Sequence, residues 1–278
     1  MYNNPFFGLY EKALPKHLKW EDRLLLARKA GYNFMEISID ESDERLERLQ
    51  WDKIKKRKLR EIIEDTEMPL LTMCLSAHRR FPIGSSFPEA RRKGMEIMET
   101  AIWFAFHMGI RIIQIAGYDV LMEETSTHES REKFGKNLMK SVKLASSLGV
   151  TLAIENVDVD FGNSIDKIMY YVNAIKSPWL QIYPDIGNLT AMKQNVSQQL
   201  IIGQNHIVAI HVKDTIEGVV RRVPFGEGIV DFVSAFKILK NICFHGPFII
   251  EMWANDKKDN FDLVKHAKEW VSEKAERA

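Results

Sequence analysis

LQIYPD, residues 180–185, is a short apolar run that ends on an acid, and its pattern recurs along the chain. A strand buried on both faces reads as a continuous aliphatic stretch rather than an alternating one. Seven other runs share that character: FFGLY (6–10), FMEIS (34–38), LLTMCL (70–75), RIIQIAG (111–117), TLAIEN (151–156), IVAIHVKD (207–214) and FIIEMW (248–253). Between them lie longer segments at helical spacing, among them WEDRLLLARKAG, DKIKKRKLREIIEDT, EARRKGMEIMETAIWFAFHMG, ESREKFGKNLMKSVKLASSLG and FDLVKHAKEWVSEKAE. Three of these end in glycine, at Gly31, Gly109 and Gly149, where a left-handed residue stops a helix at little cost. Short buried strands alternating with helices imply βα units around a parallel sheet. Eight such units in 278 residues predict an α/β fold, a (β/α)8 TIM barrel of the usual ~250-residue size. No linker rich in Pro, Gly or Ser divides the chain, so residues 1–278 are expected to form a single domain.

Composition narrows the partners. Lys plus Arg number 39 against 38 Asp plus Glu, a formal net charge of +1, so no broad positive field recruits nucleic acid or an anionic membrane. No stretch approaches the ~18 apolar residues of a spanning helix, and the N-terminal MYNNPFFGLYEKALPKHLKW is broken by prolines and charges. A soluble, cytoplasmic chain without a cleaved leader is expected. The two cysteines, Cys74 and Cys243, each sit in an apolar stretch and read as reduced core thiols. The basic run KKRK (55–58) lies in a helical segment and reads as its solvated face.

Active sites of such barrels gather at the C-terminal ends of the strands. Polar residues stand at or near that end on four consecutive strands: Glu155 in AIEN, Asp185 in YPDIGN, His211 in AIHVKD and Glu251 in FIIEMW. Each is separated from the next by about one βα repeat, so the four converge on one side of the barrel mouth. Three carboxylates crowded together repel one another and lose hydration, which calls for a divalent cation or a shared proton. Hard oxygen donors with one imidazole suit one Zn²⁺ or Mn²⁺ per chain, with Mg²⁺ or Co²⁺ next, and disfavour Cu(I) and iron–sulfur chemistry. His17, His107, His128, His206, His245 and His266 have no partner at informative spacing and read as structural or surface residues. Met95, Met98 and Met108 fit a buried helical face, where methionine fills core gaps.

The stretches GLYEKALP, CLSAHRRFPIGS, IQIAGYDV, YPDIGN, HIVAIHVKDT, VPFGEGIVDF and GPFIIEMW span nearly the whole chain. In them it resembles the L-ribulose-5-phosphate (L-xylulose-5-phosphate) 3-epimerases of the xylose-isomerase-like barrels. By that resemblance Glu155, Asp185, His211 and Glu251 fall on the family's metal ligands, and Glu155 and Glu251 also on its two acid/base carboxylates. A homodimer or larger homo-oligomer is implied too. More distant ketose 3-epimerases tend to carry histidine three residues after the metal aspartate; here Asn188 stands there, so contacts to substrate hydroxyls are expected to differ. Epimerising C3 of a ketose means removing a proton beside the C2 carbonyl, through a cis-enediolate, and returning one to the opposite face. Two carboxylates flanking one metal do this.

A phosphorylated ketose needs an anion holder. The loop LSAHRRFPIGS supplies Ser76, His78, Arg79 and Arg80, and HVKDTIEGVVRRVPFGEG adds Lys213 and Arg221. A 1,2-ketol isomerase acting on a sugar or hydroxy-acid is the runner-up. A barrel endonuclease would want more clustered histidines and a basic groove, and a non-catalytic sugar-phosphate binder would not need two glutamates beside one metal.

Overall fold

Eight short strands, Phe7–Tyr10, Phe34–Ile39, Leu70–Leu75, Ile112–Ala116, Thr151–Glu155, Leu180–Ile182, Ile210–Val212 and Phe248–Ile250, form one parallel sheet in a computed structural model that describes residues 5–255 and 260–278. Numbered one to eight in that order, the first six pair in sequence, and the eighth pairs with both the seventh and the first. The sixth and seventh strands close the ring through the parallel bridges Ile182 to Ile207 and Asp185 to His211. Across that seam Val208 N donates to Ile182 O at 3.1 Å and His211 N to Pro184 O at 2.9 Å. The result is the expected TIM barrel.

The aliphatic runs become strands because both faces are covered. Leu9, Ile37, Met73, Ile113, Leu152, Ile182 and Ile250 are all fully buried, in the core that the sheet forms with its surrounding helices. Helices Trp20–Lys29, Lys53–Thr66, Pro88–Met108, His128–Ser147 and Phe261–Glu276 occupy the segments of helical spacing. Gly31, Gly109 and Gly149 follow three of them with φ of +85°, +74° and +67°, the left-handed stop for which glycine was expected. Met98 and Met108 are buried and Met95 packs against the same core, while Lys55, Arg57 and Lys58 are exposed on their helix. No helix among the described residues is long and apolar enough to cross a membrane.

Two expectations need correcting. Both cysteines are free, but only Cys74 is buried; Cys243 is exposed, in the turn after helix Phe232–Asn241, where a φ of +56° carries it out of the apolar layer. The seventh strand is also shorter than the run IVAIHVKD. Past Lys213 the chain leaves the barrel as an antiparallel hairpin, Asp214–Ile216 with Val219–Val223. Asp214 fixes that departure, its carboxylate accepting from Gly226 N at 2.9 Å, Gly228 N at 3.0 Å and Thr215 N at 3.0 Å.

The turn after the first strand is anchored by a buried acid. Glu11 meets Arg45 at 2.8 Å and Arg48 at 2.7 Å, pairs with Arg23, and accepts from Ser38 N at 2.9 Å. Burial alone would raise its pKa, but Arg48, Arg45 and Arg23 outweigh that and hold it at about 2. A carboxyl depressed in the fold stabilises it fully above the ordinary value of 4.5, and that contribution disappears as pH falls through about 2. Its size is ~3 kcal/mol. Glu11→Gln is therefore expected to destabilise by ~3–5 kcal/mol at neutral pH, because three buried guanidinium groups lose their counter-charge. Urea melts from pH 7 to pH 2 check this: the gap between wild type and variant must close at the acid end.

Candidate metal centre

Glu155 ends the fifth strand, His211 lies within the seventh, and Asp185 and Glu251 follow the sixth and eighth. All four side chains are buried, and one donor atom from each lies within 4.8 Å of the others. The sequence-derived set is thus brought together at the C-terminal mouth of the barrel.

Asp185 is held by its own turn. Its Oδ1 accepts from Asn188 N at 2.8 Å and caps the short helix Ile186–Ala191, which leaves Oδ2 for the cluster. The Asn156 side chain clasps the Asp185 backbone, accepting from its N–H at 2.8 Å and donating to its carbonyl at 3.0 Å. Asn188 Nδ2 donates to Asn156 O at 2.8 Å. In YPDIGN the residue Gly187 is needed as glycine, because a Cβ there would lie 2.7 Å from Lys213 O.

His211 is oriented from both sides. Nδ1 lies 2.7 Å from Glu155 Oε1, and Nε2 lies 2.6 Å from Glu36 Oε1, a buried carboxylate of the second strand. Tyr183 donates to Glu36 Oε2 at 2.7 Å, and the Gln114 amide donates to Glu155 Oε2. A carboxylate behind a ligating imidazole fixes its tautomer and raises its basicity. Glu36, Gln114, Asn156 and Tyr183 were missed from sequence, although an acid in FMEIS and an amide in RIIQIAG already break otherwise apolar strands.

Four buried carboxyls, Glu36, Glu155, Asp185 and Glu251, face two cations, Lys213 and His211. Lys213 Nζ lies 2.6 Å from Asp185 Oδ2 and 2.9 Å from Glu251 Oε2. Burial first, and then Glu251 and Glu155, push the pKa of Asp185 up against the pull of Lys213. Burial would raise Glu251 too, but Lys213 and His211 win there and hold it low. Burial lowers His211, yet Glu36, Glu251 and Glu155 together drive it well above its ordinary value. The cluster thus favours the protonated forms of His211 and Asp185, and a divalent cation is the group that would relieve the crowding of its carboxylates. The donor set therefore fits Zn²⁺, Mn²⁺, Mg²⁺ or Co²⁺.

The remaining candidates separate. A cavity of about 300 Å³ over the cluster is lined by Ser76, Arg79, Asn188, Lys213 and Arg221 together with Glu155 and Glu251. Asn188 Oδ1 is buried without a protein partner. Arg79 reaches Tyr118 Oη at 3.2 Å and Glu41 at 3.4 Å, while Arg221 lies 3.6 Å from Asp158. His78 turns away from the cavity, with Nε2 3.2 Å from Gly94 O, and burial pushes its pKa down to about 4. Arg80 is on the surface, bound to Glu41 O at 2.9 Å and Asp43 Oδ1 at 2.7 Å. The 3₁₀ turn Ser76–Arg79 causes this split by sending successive side chains to different sides.

Residues 24–274 match the family model described as xylose isomerase-like TIM barrel. L-ribulose-5-phosphate 3-epimerase UlaE of Escherichia coli (strain SMS-3-5 / SECEC) is 47% identical over 271 residues, covering 98% of this chain and 95% of that protein. The protein of the same name from Shigella sonnei (strain Ss046) matches equally. Solved structures share the fold at lower identity. D-allulose 3-epimerase from Methylomonas sp., in complex with D-allulose, superposes with a TM-score of 0.80 at 18% identity, with 97% of each chain covered. The IolI protein, solved with a zinc atom, superposes with a TM-score of 0.81 at 18% identity, with 98% of each chain covered. The chain belongs to the xylose isomerase-like TIM barrel family.

A cation that binds only the folded cluster must stabilise the fold. At a hundred times its Kd the gain is ~2.7 kcal/mol. Thermal melts with Zn²⁺ or Mn²⁺, and again with EDTA, are expected to show that gain in wild type. In His211→Ala most of it should vanish, and elemental analysis should find most of the metal lost.

Proposed function

We propose that this protein is a metal-dependent 3-epimerase interconverting L-ribulose 5-phosphate and L-xylulose 5-phosphate. The observation that carries the proposal is the pair of buried glutamates, Glu155 and Glu251, which line one cavity from the fifth and eighth strands with His211 Nδ1 between them. The 47% identity to proteins named L-ribulose-5-phosphate 3-epimerase, over nearly the full length of both chains, supports the same substrate class.

Inverting C3 needs one group to take the proton and another to return one to the opposite face. Glu155 has one oxygen held by Gln114 and presents the other toward His211. Glu251 is kept ionised by Lys213 and His211, so it is ready to accept. Which glutamate accepts depends on the epimer that enters. Glu155, Asp185, His211 and Glu251 would hold a divalent ion, which would supply Lewis acidity that makes the hydrogen beside the ketose carbonyl more acidic. Asn188 Oδ1, buried and unpartnered, accepts from a substrate hydroxyl. Tyr10, Val157 and Trp253 form apolar walls that limit water around the proton-transfer groups.

In D₂O, proton NMR should show the C3 signal of the ketose 5-phosphate vanish as the second epimer appears, with C1 remaining protiated. Glu155→Gln and Glu251→Gln are each expected to lower kcat by ~10²–10⁴-fold, the scale of a lost general acid or base. Deuterium at C1 with aldose formed would instead identify a 1,2-isomerase.

A further inference from the structure

Glu36 stands apart from the other acids of the barrel interior. It lies on the second strand, which the first and eighth strands separate from the seventh, yet its side chain crosses to His211 with Oε1 2.6 Å from Nε2. It is fully buried, and among the described residues its salt bridges are with His211 alone. Tyr183 donates to the second oxygen, Oε2, at 2.7 Å. A desolvated carboxylate is costly to hold without donors on both oxygens, so these two partners permit the burial. A buried acid with no lysine or arginine beside it needs a reason, and the imidazole is the group it serves.

Tyr183 also grips the imidazole itself. Its ring meets that of His211 with centroids 4.8 Å apart and planes at 63°, and Tyr10 packs on the same imidazole at 6.2 Å and 56°. The backbone of His211 is fixed as well, by its register with Ile249 and its bridge to Asp185. Tyr183 stands two residues before Asp185, so one short segment delivers a donor to the cluster and clamps a second. The two ring nitrogens then meet unlike surroundings. Nδ1 lies 2.7 Å from Glu155 Oε1 and 3.8 Å from Glu251 Oε2, both in the donor set, whereas Nε2 faces a carboxylate outside it.

We infer that Glu36, locked by Tyr183, is a positioning residue of the metal centre: it accepts the Nε2–H of His211 and thereby makes Nδ1 the ligating atom. A neutral imidazole offers one N–H and one lone pair. In the opposite tautomer a lone pair would confront Glu36 across 2.6 Å with no proton between them, and an N–H would point at the place the cation takes. With Glu36 as acceptor, the lone pair faces Glu155 and Glu251 instead. The orientation of the ring is therefore set by the protein, and only the electron pair is left for an ion. The inference rests on the metal centre described above, not on the identity of the substrate.

Glu36→Gln keeps the shape and removes the charge, and Tyr183→Phe removes only the hydroxyl that holds Glu36. Zinc affinity is measured by competition with a chromogenic chelator. The tautomer of His211 is read by two-bond proton–nitrogen NMR of the zinc-loaded full chain, with His211→Ala identifying the signal. In wild type Nε2 is expected to carry the proton and Nδ1 the metal. Glu36→Gln is expected to weaken zinc binding by ~10–100-fold, the usual effect of losing such a partner, and to move the Nε2 proton upfield. Tyr183→Phe should weaken binding in the same direction by less, and it decides the matter alone if the Gln variant does not fold. Zinc bound through Nε2 overturns the inference, as does wild-type affinity in either variant. A wild-type chain that binds no divalent ion overturns the metal centre and this inference with it, whereas a failed epimerase assay leaves both standing.

Discussion

Four buried carboxyl groups at one end of a barrel must be neutralised, and most of the site's structure answers that requirement. Isolated charges at such depth are too costly to leave unpaired, so each has a cation or donor in contact. Glu36 has His211 and Tyr183, Glu155 has His211 and Gln114, and Asp185 and Glu251 share Lys213. Burial first, and then Glu251 and Glu155, raise Asp185, while Glu36, Glu251 and Glu155 raise His211 against its burial.

Precision in the cluster comes from backbone rather than from the acids themselves. The bridge between Asp185 and His211 belongs to the seam that closes the barrel, so the spacing of two donors is set by a strand pairing. Asn156 ties the Asp185 backbone to the end of the fifth strand, one residue beyond Glu155. The sixth strand has only three residues, and this side-chain clasp replaces the ladder bonds that a longer strand would supply. Loss of the clasp would loosen Asp185 and the barrel seam together.

Strands and helix stops were legible because each leaves a local signature. Both faces of these strands are covered, so apolar residues run unbroken, and Gly31, Gly109 and Gly149 sit where a left-handed turn is required. The four clustered residues were legible because their side chains stand at strand ends one βα repeat apart. Glu36 escaped the same filter because it lies three residues short of the end of its strand, pointing into the barrel interior to meet His211. The hairpin after Lys213 escaped because IVAIHVKDTIEGVV carries β-branched residues through the point where the chain leaves the sheet. His78, Arg79 and Arg80 are adjacent in sequence yet end in the core, the cavity and the surface, a division made by one 3₁₀ turn that residue types do not encode.

Lys213 shows how a residue's distance from the cluster changes its chemistry. In sequence it is a cation two residues past His211, and a phosphate was its natural expected partner. In the fold its stem is buried and its ammonium is bound between Asp185 and Glu251, so no charge is left for an external anion. By holding Glu251 ionised, Lys213 keeps this glutamate available to accept a proton but also makes it a weak base. A weak base can remove a carbon-bound proton only if the substrate is made more acidic and water is kept away from the carboxylate. In the proposed reaction the aromatic wall of Tyr10 and Trp253 beside Lys213 would serve the second condition, and a metal held by the adjacent donor cluster the first.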